Sequence, residues 1–279
     1  MSSGTYDDER GMSTEMRLLS EDVLADEYWA SHLRQMEIIL GDFDPGIAEE
    51  LDLDVTGSGK LRSIVRYCIP LFEIYRAIDG VEPKPSWLAA MYLWQEAWRP
   101  LDNLIDDDGP FVANFREYNI AILRAWNFHS KTSPNGRLMD QFLTCLSDTL
   151  WVEENHEARM DPSLIFQRAR LYEVTFDSLP KLSSETRANF RAYINTVTIA
   201  HDFGDVVTDI KEGAATFATA ALKSIDPYCR LTSSVYRELQ ETSEAAFQDQ
   251  LKKMDRDALK ACWVTQRNIN NSFRWAFQN

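Results

Sequence analysis

The sequence predicts an all-α fold built as one helical domain, and three observations carry that prediction. Apolar residues recur at helical spacing along almost the whole chain, and no stretch alternates with the period of a strand. The interruptions fall at Pro, Gly and Asn breakers. With 11 Gly and 10 Pro in 279 residues, the chain is too poor in both for a turn-rich β protein. Hydrophobic residues make up 44% and aromatics 11%, enough to bury a sizeable core.

Residues 1–16 are polar and acidic and are expected to form a disordered leader, with 17–279 as the single domain. The periodicity predicts helices near 21–41, 60–79, 86–107, 113–129, 136–157, 163–180, 185–210, 228–252 and 255–276. The breaks between them lie at Asp44-Pro45, at Gly80 with Pro83 and Pro85, at Gly109-Pro110, at Ser133 to Gly136, at Asp161-Pro162, at Gly213 and at Asp226-Pro227.

Charge and composition narrow the function. A formal charge of −15 argues against an extended nucleic-acid surface, which needs clustered Lys and Arg. It leaves room for a small phosphorylated ligand held by a few basic residues. No apolar run approaches the roughly 18 residues of a membrane span, and MSSGTYDDERGM has no apolar core of a signal peptide. A cytoplasmic protein is expected. Cys68, Cys145, Cys229 and Cys262 are far apart and form no CxxC pair, which suits reduced, mostly buried thiols.

Two acidic clusters stand out. The apolar helix WLAAMYLWQEAW ends in Asp102, Asp106, Asp107 and Asp108. Asp102 and Asp106 are four apart and share a helical face, roughly 6 Å from each other. At an effective dielectric of about 20 they repel by roughly 3 kcal/mol. Asp202, Asp205 and Asp209 repeat the arrangement at i, i+3 and i+7, opposite the apolar residues Ile199, Phe203, Val206, Val207 and Ile210. Helix propensity does not reward such placement, whereas divalent cations would offset the repulsion and find hard oxygen ligands. The bland alternative is a solvated helix end, which suits Asp107 and Asp108 beside Gly109-Pro110.

These stretches resemble the class I isoprenoid synthase superfamily, which includes the trans-prenyltransferases and the class I terpene synthases. Asp102-Asn103-x-x-Asp106-Asp107 resembles the first DDxxD motif, with Asn in second place. His201-Asp202-x-x-Asp205 resembles the second, with His in first place, and with Asp209 it also fits the cyclase-type pattern (N/D)DxxSxxxE. Gly57 to Arg62 is similar to a shortened GGKRxRP, or is a plain loop and helix cap. Arg168 to Tyr172 is similar to the start of the RLKT helix, and Asp209 to Thr216 to the charged loop after the second motif. Asn268 to Trp275 faintly resembles the terminal Arg-Tyr element of bacterial cyclases.

The resemblance implies a single-domain helical barrel or bundle of the isoprenoid synthase type, acting on an allylic prenyl diphosphate with three Mg2+ ions. It assigns metal binding to Asp102, Asp106, Asp202, Asp205 and Asp209, with Asp102, Asp106 and Asp205 also placed in catalysis. It assigns diphosphate binding to Arg170, Lys211, Lys60, Arg62 and Arg274. Trp94, Trp98, Tyr172, Phe176 and Phe203 become candidates for the pocket wall, where aromatic faces stabilise a carbocation, or else pack in the core. The Arg pair usual soon after the first motif is missing, and Tyr172-Glu173 replaces the Lys-Thr of RLKT. These departures weaken a second diphosphate site and rank a terpene cyclase ahead of a prenyltransferase. A catalytically silent subunit ranks last, and homodimers are common in the family. Three other readings lack their residues: an HD-type phosphohydrolase needs more His, a di-iron bundle needs Glu-x-x-His twice, and GSGK is not a full P-loop.

Overall fold

A computed structural model of the chain describes residues 10–51, 59–105, 110–132, 142, 144–147, 179, 182–214 and 216–278. Among the described residues every regular element is a helix and none is a strand, so the protein is all-α. No described helix is long and apolar enough to cross a membrane.

The N-terminal half builds a helical wall. Helix α1 (Arg10–Ala25) begins inside the segment expected to be disordered. Met16, Leu19 and Val23 recur every three to four residues and are buried, Met16 to 6% exposure, so a helical stripe lay hidden under acidic neighbours. In α2 (Glu27–Phe43), Asp26 caps the first turn by accepting from the Trp29 N–H at 3.1 Å. Its face of Trp29, Leu33, Met36 and Leu40 is buried. The short α3 (Pro45–Leu51) follows at once. Helix α6 (Pro85–Ile105) buries Leu88 through Trp94 and carries Pro100 inside it, and α7 (Phe111–Thr132) packs along it.

Between these lies one continuous helical rod with an irregularity: α4 (Gly59–Ser63), a π-helix (Ile64–Cys68) and α5 (Ile69–Asp79). The Ile69 N–H bonds the Ile64 carbonyl instead of that of Val65, and Pro70 has no N–H to give that of Arg66, so both carbonyls take outside donors. Asn268 Nδ2 donates to the Val65 carbonyl at 2.9 Å, and the Tyr193 hydroxyl donates to the Arg66 carbonyl at 2.5 Å. Gly80 stops α5 in the left-handed region, at φ 63°, where a Cβ would be strained.

The C-terminal half surrounds α8 (Ser184–Gly204), which is buried on most of its circumference and packs against α5, α10 (Phe217–Ile225), α11 (Ser233–Lys252) and α13 (Trp263–Phe277). Some of its buried polar groups are bonded: Thr196 donates to the Ala192 carbonyl at 2.7 Å, and Asn195 Nδ2 to Gln250 at 3.3 Å, while Asn195 Oδ1 is buried with no partner among the described residues. Two further short helices, α9 (Val206–Glu212) and α12 (Arg256–Lys260), complete the set described. Phe203, Phe247, Phe273 and Phe277 stack together where α8, α11 and α13 meet. Buried apolar side chains from Met16 to Phe277 form one continuous core. Cys68 and Cys262 are buried free thiols, and burial pushes the Cys262 thiol up to about 12.

Two carboxylates on α5 orient the helices around it. Asp79 Oδ2 accepts from the Thr186 hydroxyl at 2.9 Å and the Ser183 N–H at 3.2 Å, at the start of α8. Glu73, 6% exposed, accepts from the N–H groups of Val264 at 3.1 Å and Thr265 at 2.8 Å and from the Thr265 hydroxyl at 2.8 Å, at the start of α13. Burial pushes the Glu73 carboxyl up from an ordinary 4.5 to about 7, against the opposing pull of those hydrogen bonds. With the folded value raised, the stability it contributes is fully present below about pH 4.5 and is lost as pH rises through about 7. Urea unfolding of the wild type and Glu73→Gln at pH 4.5 and pH 8 should show this directly. The wild type should lose about 3 kcal/mol more than the variant between the two; parallel pH profiles would refute the assignment.

Candidate metal and diphosphate site

The first acidic cluster lies at the end of α6. Asp102 and Trp98 belong to that helix by their backbone. Asp106, Asp107 and Asp108 lie outside the described residues, as do Arg170, Tyr172 and Phe176. Trp94, one turn before Trp98, is fully buried with its ring centroid 5.3 Å from that of Phe142. Its indole N–H is sealed from solvent with no acceptor among the described residues. Trp94 is thus a core residue in this structure.

The second cluster is reshaped by a break. The helix expected over 185–210 ends at Gly204, Asp205 sits at φ −96°, ψ 2°, and α9 restarts at Val206. The three carboxylates therefore do not ride one uninterrupted helix. Asp202, 9% exposed, accepts from the Phe217 N–H at 2.8 Å, and Asp209 accepts from the Thr216 hydroxyl at 2.9 Å. Thr216 is the cap of α10, closed by a reciprocal capping box with Thr219. Two carboxylates thus converge on one helix N-terminus, whose positive end of the dipole favours negative charge. Among the described residues no group of three His, Cys, Asp or Glu side chains is gathered closely enough to hold a metal ion.

Asp205 faces His201, with Oδ2 3.3 Å from Nδ1. Burial of the ring first, and then the positive charge of Arg66, push the His201 pKa down. The C-terminal helix closes over this end of α8. Trp275 lies against Gly204 so tightly that a Cβ there would come within 2.1 Å of the indole ring, and its centroid is 5.9 Å from that of His201. The stretch from Asn268 to Trp275 is thereby brought to the second cluster, with Arg274 exposed in the last turn of α13.

The remaining predicted residues divide. Lys60 pairs with Glu96 of α6 at 3.1 Å, both partly buried. Arg62 is partly buried in α4, and Lys211 is exposed in the last turn of α9. Phe203 packs 5.0 Å from Phe277 and 5.6 Å from Tyr236, in the aromatic core between α8, α11 and α13. One basic residue was missed. Arg66, on the π-helix, sits close enough to α8 to act on His201 and Tyr193. Its only signal in the sequence was its position four residues after Arg62, on the same helical face.

The contact at Gly204 is testable. Gly204→Ala should lower stability by about 1–3 kcal/mol, because the indole is forced off its seat. Trp275→Ala in the same chain should recover part of that loss. A double-mutant cycle by urea unfolding measures the coupling, and strictly additive effects would mean the two residues do not touch.

No family model, no curated protein and no solved structure matches the chain.

Proposed function

We propose that the chain is a Mg2+-dependent class I isoprenoid synthase that ionises an allylic prenyl diphosphate, acting as a terpene cyclase. The observation that carries the reading is the second acidic cluster: Asp202 at the end of the buried α8, Asp205 just past it and Asp209 on α9, with His201 facing Asp205 and Trp275 laid over the break. The all-helical architecture supports it, and the isoprenoid synthase barrel is the finer form of the same proposal.

The donor chemistry fits Mg2+. Hard carboxylate oxygens are what that ion takes, and the partners seen on Asp202 and Asp209 are a neutral N–H and a neutral hydroxyl. Asp202, Asp205 and Asp209, with Asp102 and Asp106 of the first cluster, would hold the ions once drawn together, since no three carboxylates of the described residues stand close enough as they are. Bound Mg2+ supplies Lewis-acid neutralisation of charge developing on the departing diphosphate. The chain's own contributions are orientation, exclusion of water from the helical interior and basic groups such as Arg62, Arg170, Lys211 and Arg274.

One contact favours cyclase over prenyltransferase. Lys60, the counterpart of the Lys that would hold isopentenyl diphosphate, is already engaged by Glu96 at 3.1 Å. A site for a second diphosphate is short of a cation by that much.

Purified protein with Mg2+ and geranyl, farnesyl or geranylgeranyl diphosphate, each with and without isopentenyl diphosphate, should release diphosphate and yield a hydrocarbon or alcohol from one substrate alone. A longer diphosphate formed only with isopentenyl diphosphate would make the protein a prenyltransferase. No diphosphate release in any combination would sink the enzymatic reading.

Asp202→Asn separates ligand from cap. The amide oxygen can still accept from Phe217, so stability should change by less than about 1 kcal/mol. Turnover should fall at least about 100-fold, because a metal ion contributes several kcal/mol to the transition state. Full activity in this variant would show that Asp202 only caps α10.

A further inference from the structure

We propose that residues 1–9, which precede α1, dock across the C-terminal end of α13 into a groove behind α9, with Tyr6 as the anchor and the acidic run Asp7-Asp8-Glu9 set against Arg237. The inference stands apart from the isoprenoid reading, because it uses none of the residues placed in the metal and diphosphate site.

The groove has a volume of about 510 Å3 and is lined by Val207 of α9, Leu231 of the loop before α11, and Ser233, Tyr236, Arg237 and Gln240 of α11. That volume lies within the roughly 300–1,000 Å3 usual for binding pockets. Val207 and Tyr236 remain 48% and 41% exposed, so apolar surface lies open to water there. The Tyr236 ring rests against Phe203 at 5.6 Å, which makes it a fixed surface for a further aromatic. Val207 and Asp209 stand two residues apart on α9, about 200° around the helix. The groove therefore opens on the side away from the second acidic cluster.

Charge selects the occupant. Arg237 is the only charged side chain among those that line the groove. Glu241, one turn further along α11, is its natural i,i+4 partner. The two form no ion pair, and no carboxylate of the described residues takes the guanidinium. Exposed cations further along do have partners: Lys253 has Asp249 at 2.8 Å, and Lys260 has Asp257 at 2.7 Å. The segment before α1 offers what Arg237 lacks, three consecutive carboxylates, next to the single aromatic residue of that stretch.

The course of α1 delivers the segment to this place. The Asn271 amide of α13 donates to Glu15 Oε2 at 3.0 Å, and Arg267 pairs with Asp22 at 2.5 Å. Numbers rise along α1 as they fall along α13, so the helices run antiparallel and Arg10 lies beside the last turn of α13. That turn abuts the groove, where Gln240 Nε2 donates to the Phe277 carbonyl at 3.2 Å. Helix axes packed at roughly 8–10 Å set the start of α1 within about 20 Å of α11. Four residues of extended chain span about 13 Å and a tyrosine side chain adds about 6 Å, so Tyr6 reaches the groove.

The photo-crosslinker benzoylphenylalanine, placed at position 6 of the full chain, tests this, with the joined peptides read by mass spectrometry after irradiation. The expected crosslinks run to Val207 or to residues 231–240. Arg237→Glu should cut their yield at least about threefold, and so should about 0.5 M salt, because an exposed charge pairing contributes on that scale and is screened. Asp7→Lys with Asp8→Lys should restore the yield in the Arg237→Glu chain. Circular dichroism checks folding, and Arg237→Gln carries the test if the Glu variant does not fold. Crosslinks to another surface, or a yield that ignores Arg237, would overturn the proposal. So would hybrid crosslinks in a mixture of 15N-labelled and unlabelled chains, which would seat a second copy's segment in the groove.

Discussion

Glu73 is a carboxylate in a place that burial makes expensive, and the arrangement of the C-terminal half follows from how that expense is met. Three donors at the start of α13 converge on it: two backbone N–H groups that no intrahelical acceptor can satisfy, and the Thr265 hydroxyl. The helix supplies the positive end of its dipole and the carboxylate supplies the charge. Neither would be stable buried without the other. From Val264 to Trp275 the helix runs about 16 Å at 1.5 Å per residue. A clamp at its first turn therefore decides where the indole near its last turn comes down, which is on Gly204. Asp79 does the same for the start of α8. One short helix, α5, thus aims both elements that build the second cluster.

The π-turn beside α5 belongs to the same logic. An uninterrupted α-helix would return the Val65 carbonyl to the Ile69 N–H, whereas Pro70 leaves that of Arg66 without a helical donor in any case. Asn268 and Tyr193 take up the two carbonyls, and so tie the rod to α13 and α8 a second time. The cost of an irregular turn is offset by two hydrogen bonds to large buried side chains. Asn268 is 1% exposed and Tyr193 is fully enclosed. Without these bonds the Tyr193 hydroxyl and the Asn268 Nδ2 would go unsatisfied into the core, where Asn268 Oδ1 already has no partner among the described residues.

Much of this was legible in the sequence, and the parts that were not share a cause. The positions of α2, α6, α7 and α11 followed from apolar periodicity, because each buries one broad face. The break in the second acidic helix was hidden because Gly204 is tolerated within a helix; only a partner from far along the chain, Trp275, requires it to have no side chain. Helix α10 escaped because nine residues are too few to show a period, and its strength lies in the Thr216 cap. Helix α1 escaped because acidic composition masked the stripe of Met16, Leu19 and Val23. Glu73 was invisible for the same reason: its meaning lies in the donors of Val264 and Thr265 that long-range packing places beside it.

Capping and metal binding make compatible demands on Asp202 and Asp209. A carboxylate that must receive a cation is best held in position beforehand, because each degree of freedom frozen on binding subtracts from affinity. The start of α10 does that holding. The Phe217 N–H takes Asp202 and the Thr216 hydroxyl takes Asp209, both neutral donors. A Lys or Arg in those places would have positioned the carboxylates equally well, but it would also have cancelled the charge that attracts a divalent ion. The neutral partners seen on Asp202 and Asp209 fix these carboxylates in place without themselves contributing a charge, and positioned carboxylate oxygens are what a hard-cation site requires.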